Sequence, residues 1–185
     1  KAVIKKKDYT LNHFKRDFRI VLDTGYFCTI AEHLLRQKNT DMFLCAANSR
    51  YMGTSVPMGV AAAIYDPSVP TVLVVGDGGI GMYLSELKLA VKHKLPVLII
   101  LMSDGGFGSI MHRAIEKNLN YSSITIDRPS WQKIIQSLGI PSTIVKDENG
   151  FIKRLLEINL DQGPIYIECC FNSEKYMKMV EYLRN

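Results

Sequence analysis

The chain has 185 residues, with 47% apolar and 22% charged side chains, which suits one globular domain with a sizeable core. No apolar run approaches the roughly 20 residues that cross a bilayer and no secretory signal opens the chain, so no membrane partner and a cytoplasmic location are expected. The net charge of +5 is not carried by basic residues interleaved with aromatics on one element, so no nucleic-acid partner is expected either.

The first 17 residues, with Lys5, Lys6 and Lys7 consecutive, read as a basic linker or extension. A chain that opens on Lys1 reads as a fragment or natural subunit of a larger protein, here a single domain over residues 1–185. Continuous apolar runs predict strands at Arg19–Asp23, Met42–Ala46, Thr71–Gly76, Pro96–Ser103, Ser142–Lys146 and Pro164–Cys170. Amphipathic stretches between and after them predict helices at Thr29–Gln37, Val56–Tyr65, Met82–His93, Arg128–Leu138, Phe151–Asn159 and Glu174–Leu183. Gly105–Ser123 is the least regular stretch and reads as a mobile loop. Strand and helix in alternation imply a doubly wound α/β domain, with six mainly parallel strands and helices on both faces. Cys28, Cys45, Cys169 and Cys170 form no C-x-x-C pair and read as small buried apolar groups in a reducing compartment.

In such a sheet, ligands sit beyond the carboxyl ends of the strands. Two acids fall there: Asp77, in Gly76-Asp77-Gly78-Gly79, and Asp104, in Ser103-Asp104-Gly105-Gly106-Phe107-Gly108. Glycines let a backbone approach an anion closely and offer it N–H groups, aided by the positive end of a following helix. A carboxylate in the same turn repels a diphosphate unless a hard cation, Mg²⁺ or Ca²⁺, lies between them. Alone, each Asp-Gly pair reads as an ordinary surface turn. Together, after two buried strands, they point to a metal–diphosphate site.

Gly76-Asp77-Gly78, Glu86-Leu87, Leu95-Pro96-Val97 and Ser103-Asp104 resemble the thiamine diphosphate motif, which opens on Gly-Asp-Gly and closes on Asn-Asn. More narrowly, the chain resembles the diphosphate-binding domain of the acetolactate synthase, pyruvate oxidase and 2-oxoacid decarboxylase superfamily. Tyr51–Ala62 is similar to its Met-Gly-x-Gly-Leu-Pro-Ala-Ala segment, and Asp23-Thr24-Gly25 to its Asp-x-Gly strand end. Trp131–Gly139 and Gly163–Glu168 are similar to its closing helix and last strand. The similarity covers residues 18–172.

The resemblance implies residue roles. Asp77, Asp104 and the Gly106 carbonyl would ligate the metal, and the Gly78 and Gly79 N–H groups would hold the diphosphate. Met52 would be the apolar wedge that keeps the cofactor bent, and the Arg50 carbonyl would accept from the aminopyrimidine. Gly25, Tyr26, Gly76, Phe107 and Gly108 complete the implied cofactor contacts. The implied reaction is decarboxylation of a 2-oxoacid, with or without carboligation. The implied partner is a pyrimidine-binding domain or subunit, which carries the activating glutamate. A homodimer or homotetramer is also implied, with FAD possible in the full-length protein.

Three departures stand out: Asp104 where the family has Asn, Arg50 where it has Gly, and Tyr26-Phe27 where synthases carry Gln-His. Arg50 puts a cationic side chain where it could enter or cap the pocket, and His112 with Arg113 is a weaker candidate for contact with a substrate carboxylate. His93 reads as a solvated helix end, and Glu86 as a packing residue. Two other readings remain: the diphosphate subunit of a split sulfopyruvate- or phosphonopyruvate-type decarboxylase, and a non-catalytic regulatory module. A nucleotide-binding domain ranks below them, because no G-x-G-x-x-G follows the first strand.

Overall fold

The computed structural model describes residues 17–34, 40–126, 130–172 and 182. The sequence readings at residues 1–16, at the end of the first helix, at Arg128 and over nearly all of Glu174–Leu183 lie outside them.

Six strands form one sheet: β1 (Arg19–Leu22), β2 (Phe43–Cys45), β3 (Thr71–Gly76), β4 (Val97–Ser103), β5 (Ser142–Val145) and β6 (Ile165–Cys170). Their order is β2-β1-β3-β4-β6-β5, and every pairing is parallel. Parallel strands need long crossovers, and these place helices over both faces. The helices are α1 (Tyr26–Leu34), α2 (Ser55–Tyr65), α3 (Asp77–Ile80), α4 (Leu87–Lys92), α5 (Gly108–Glu116), α6 (Trp131–Ser137) and α7 (Glu148–Glu157).

Alternate residues of one strand feed two different cores, as the period of 2 requires. Leu73 and Val75 of β3 and Ile99 and Leu101 of β4 pack with Val56 and Val60 of α2, Leu87 of α4 and Ile135 of α6. Val72 and Leu98 point the other way, to Cys28 of α1 and Phe151 and Leu155 of α7. Burial on both sides is why these strands read as uninterrupted apolar runs. The chain leaves β1 through α1 on one face and returns from β2 through α2 on the other. The order in which strands are added therefore reverses between β1 and β3, which opens a crevice at their carboxyl ends.

The predicted strands differ from the observed ones by no more than a residue at either end. Helices differ more. The stretch Met82–His93 is a 3-10 turn (Leu84–Glu86) followed by the short α4. Helix α7 starts three residues early because Asp147 caps it, its carboxylate accepting from Gly150 N–H at 2.7 Å. Gly105–Ser123 is corrected outright. It contains α5, its glycine start tied by Phe107 N–H to the Ile124 carbonyl (3.1 Å) and by Ile126 N–H to the Gly105 carbonyl (3.0 Å). Three glycines within four residues hid the helix that follows them.

Candidate active site

The turn after β3 is assembled around two buried carboxylates. Asp77 opens the single-turn α3 and is only 2% exposed. Its Oδ1 accepts from the Ser103 hydroxyl at 3.1 Å and its Oδ2 from Gly105 N–H at 2.8 Å, so the ends of β3 and β4 are joined through one side chain. Because α3 is one turn long, an anion here would meet individual N–H groups rather than a helix dipole.

Asp23, at the end of β1, is 1% exposed and its Oδ2 accepts from Gly53 N–H at 2.9 Å. Gly53 has φ +78, and a Cβ there would lie 2.8 Å from the Gly79 carbonyl. A Cβ on Gly79 would in turn collide with Asp23 Oδ2. The segment carrying Met52 is thereby locked onto the Gly78-Gly79 turn. Burial pushes the Asp23 carboxyl above its ordinary range, opposed by hydrogen bonds from Gly53, Thr24 and Ser55.

One pocket, an open cleft of about 530 Å³, lies over the crevice. Gly25, Tyr26, Met52, Gly76, Asp77, Gly78, Gly79, Asp104, Gly106, Phe107 and Gly108 all line it. Met52 is half-buried, and its Cε lies 2.8 Å from where a Gly78 Cβ would stand; the Phe107 ring lies 2.5 Å from the same point. Phe27 packs on Gly25 and Gly76, and Tyr26 reaches across the mouth, its hydroxyl donating to the Ser109 carbonyl at 3.5 Å. Asp104 is half-buried, and its Oδ1 accepts from Gly106 N–H at 3.4 Å.

Two other residues lie apart. The Arg50 side chain is not in the lining; it turns to Glu32, 3.5 Å away, from a backbone with φ +48. His112 Nε2 pairs with Glu116 Oε1 at 2.9 Å, one turn along α5, and is also outside the lining. His93 is exposed just past α4, as its sequence position suggested. Glu32 also accepts from the Cys28 thiol at 3.5 Å, and burial first, then this carboxylate, pushes that thiol up to about 12. Cys28 is accordingly an inert buried group.

Sequence reasoning gave Asp23 and Ser103 no role of their own. Asp23 carried a signal in Asp-x-Gly, but its partner Gly53 is 30 residues away. Thr24, Met102, Ser109 and Ile110 also line the pocket, and only their adjacency to glycines or acids pointed to them.

A hard cation and a diphosphate both fit this chemistry. Asp77, Asp104 and the Gly106 carbonyl are oxygen donors, and the glycine turn offers N–H groups unobstructed by side chains of its own. No three His, Cys, Asp or Glu side chains converge among the described residues. A cation here would need its remaining ligands from backbone, diphosphate or water.

Known proteins resemble this chain in sequence and fold. The chain is 22% identical over 163 residues to the acetolactate synthase large subunit of Porphyra purpurea, covering 86% of this chain and 28% of that one. It is 22% identical over 149 residues to the sulfoacetaldehyde acetyltransferase of Castellaniella defragrans, covering 78% and 25%. The chain thus spans less than a third of these curated relatives. A thiamine diphosphate-dependent 4-hydroxybenzoylformate decarboxylase from Rhodococcus jostii RHA1 shares the fold with a TM-score of 0.77 at 18% identity, over 90% of this chain and 32% of that one. Residues 23–169 match the family described as thiamine pyrophosphate enzyme, C-terminal TPP binding domain, and to that family the chain belongs.

Proposed function

We propose that this chain supplies the diphosphate- and metal-binding half of an active site that decarboxylates a 2-oxoacid, with or without carboligation, in the manner of acetolactate synthase. The observation that carries this reading is the convergence of Asp77 and Asp104, from the ends of adjacent strands, with Met52 on the Gly78-Gly79 turn. Asp77, Asp104 and the Gly106 carbonyl would hold Mg²⁺ or Ca²⁺, and the Gly78 and Gly79 N–H groups would hold the diphosphate. Met52 would be the apolar wedge beneath the cofactor, and the Arg50 carbonyl would accept from the aminopyrimidine. Bound thiamine diphosphate supplies the electron sink for loss of carbon dioxide. The aromatic and methionine side chains around it, Tyr26, Phe27, Met102 and Phe107, exclude water from the reacting centre.

The remaining half comes from a pyrimidine-binding domain or subunit, in a homodimer or homotetramer. Relatives about three to four times longer than the matched region support that division of labour. Calorimetric titration of the full-length protein with thiamine diphosphate and Mg²⁺, followed by carbon dioxide release from a panel of 2-oxoacids, tests the reading. Binding and release that are both lost in Asp77→Ala support it. Binding without release from any 2-oxoacid leaves a non-catalytic module, and full turnover by this domain alone refutes the division into halves.

A further inference from the structure

Among the described residues, three that are not glycine hold a left-handed backbone: Arg50 (φ +48), Lys94 (φ +49) and Asn118 (φ +52). Lys94 and Asn118 stand just past the ends of α4 and α5, where a left-handed residue is an ordinary way to stop a helix. Arg50 follows no helix. It lies in the loop between β2 and α2, two residues before Met52. A residue with a Cβ resists this conformation, which glycine adopts freely, so the surroundings must hold Arg50 in it.

The loop is pinned on both sides of that joint. Arg50 N–H donates to the Ala46 carbonyl, just past β2, at 2.8 Å. The Tyr51 carbonyl accepts from the Thr24 hydroxyl at 3.2 Å and the Thr54 hydroxyl at 3.0 Å, and Gly53 N–H reaches Asp23. The side chain is held as well. Arg50 Nη2 lies 3.5 Å from Glu32 Oε2, on α1. The other oxygen, Glu32 Oε1, accepts from the Cys28 thiol at 3.5 Å and the Cys45 thiol at 4.0 Å. Glu32 is thereby fixed by α1 and the end of β2, with its second oxygen turned to the guanidinium. It lies outside the pocket lining and meets the site only through Arg50.

Resting on the thiamine diphosphate reading above, we infer that Glu32 is a positioning residue for the pyrimidine side of that site. By pairing with Arg50 it keeps residue 50 left-handed, which sets the direction of the Arg50 carbonyl and the approach of Met52 to the Gly78-Gly79 turn. The ion pair does here what a glycine at position 50 would do by lacking a Cβ. The two side chains are 53% and 25% exposed, so the pair acts as a small factor in binding and not as a support of the fold.

The test uses the full-length protein and calorimetric titration of thiamine diphosphate and, separately, of inorganic pyrophosphate, each with Mg²⁺. Pyrophosphate reports on the diphosphate turn alone, whereas the whole cofactor also meets residues 50 and 52. Glu32→Ala and Arg50→Ala are each expected to weaken thiamine diphosphate binding roughly two- to fivefold and to leave pyrophosphate affinity unchanged. Arg50→Gly removes the same guanidinium but adopts φ +48 freely, so it should bind thiamine diphosphate at least about twofold tighter than Arg50→Ala. Adding Glu32→Ala to Arg50→Gly should then have no further effect. Equal affinities for Arg50→Ala and Arg50→Gly, or a Glu32→Ala protein that binds like wild type, overturn the proposal. A parallel loss of pyrophosphate affinity overturns it as well, because it marks damage beyond the loop. Wild-type protein that never binds thiamine diphosphate defeats the functional reading and this inference with it, whereas the contrasts among the variants bear on the inference alone.

Discussion

The turn after β3 and the turn after β4 each place an aspartate beside glycines at the edge of one pocket, yet they are built differently. Asp77 is buried, with both oxygens bonded to groups from the neighbouring turn. Asp104 is half-buried in a glycine loop, with a long 3.4 Å bond to Gly106 N–H. The first acid is part of the architecture, because removing it strands donors in the sheet edge. The second lies closer to solvent. A site built this way has one deeply buried, fixed anchor and one half-buried acid, and substitutions at the two turns separate fold from binding.

The largest effect is expected at the fixed anchor. Asp77→Ala leaves the Ser103 hydroxyl and the Gly105 N–H without their acceptor, each at a cost of about 1–3 kcal/mol when buried. It also removes a proposed cation ligand. Chemical denaturation should show a loss of several kcal/mol, and calorimetry no cofactor binding. A variant of wild-type stability would show that Asp77 does not tie the strands together.

Gly79→Ala comes next. The added Cβ meets Asp23 Oδ2, a carboxylate 1% exposed and pinned by Gly53 N–H, with the Gly53 nitrogen only 3.1 Å away. Nothing there is the free end of a long side chain, so the backbone must shift. Overpacking of this kind costs about 1–3 kcal/mol. Because the shift moves Gly53 and with it Met52, cofactor affinity should fall together with the melting temperature.

These two sites also show what could be read from the chain before its fold. The acids at strand ends were legible because buried parallel strands announce themselves as apolar runs and end where polarity returns. The six strands were legible for the same reason. Helix α5 was not, because Gly105, Gly106 and Gly108 signal a loop, while the contacts that fix its start come from Ile124 and Ile126. The direction of Arg50 was not legible either. Its partner Glu32 lies on α1, 18 positions earlier, and only the packing of α1 beside β2 brings them together. Local chemistry survives in the sequence, whereas pairings across crossovers do not.

Asp23→Asn probes the support beneath the fixed turn, with a smaller effect that depends on pH. Burial raises the Asp23 carboxyl, so the fold prefers the protonated acid. Below about pH 4, where an unfolded aspartate also holds its proton, the group costs nothing. As pH climbs from there to the raised native value, the unfolded chain releases its proton first and stability falls; beyond that value the deficit is constant. Asparagine keeps an acceptor for Gly53 N–H and carries no charge to bury. At pH 7 the variant should match or exceed wild type by up to about 1 kcal/mol, and the gain should vanish at pH 4. A melting-temperature difference that stays constant across this range would contradict the buried-charge account.

Gly108→Ala completes the contrast at the half-buried turn. Its Cβ runs into Asp104 Oδ2, as the Gly79 Cβ runs into Asp23. Here the obstacle is a half-buried carboxylate rather than one that is 1% exposed, and the backbone at Gly108 needs no left-handed conformation. Alanine at the first position of α5 also has the better helix propensity, which offsets part of the crowding. Stability should therefore stay within about 0.5 kcal/mol of wild type, while Mn²⁺ affinity of the cofactor-free protein drops because Asp104 has been displaced. The same chemical change, one methyl group beside an aspartate, then reads as a folding defect at position 79 and as a binding defect at position 108. Equal losses of stability at both positions would mean that Asp104 is as rigid as Asp23, and the distinction between the two turns would fail.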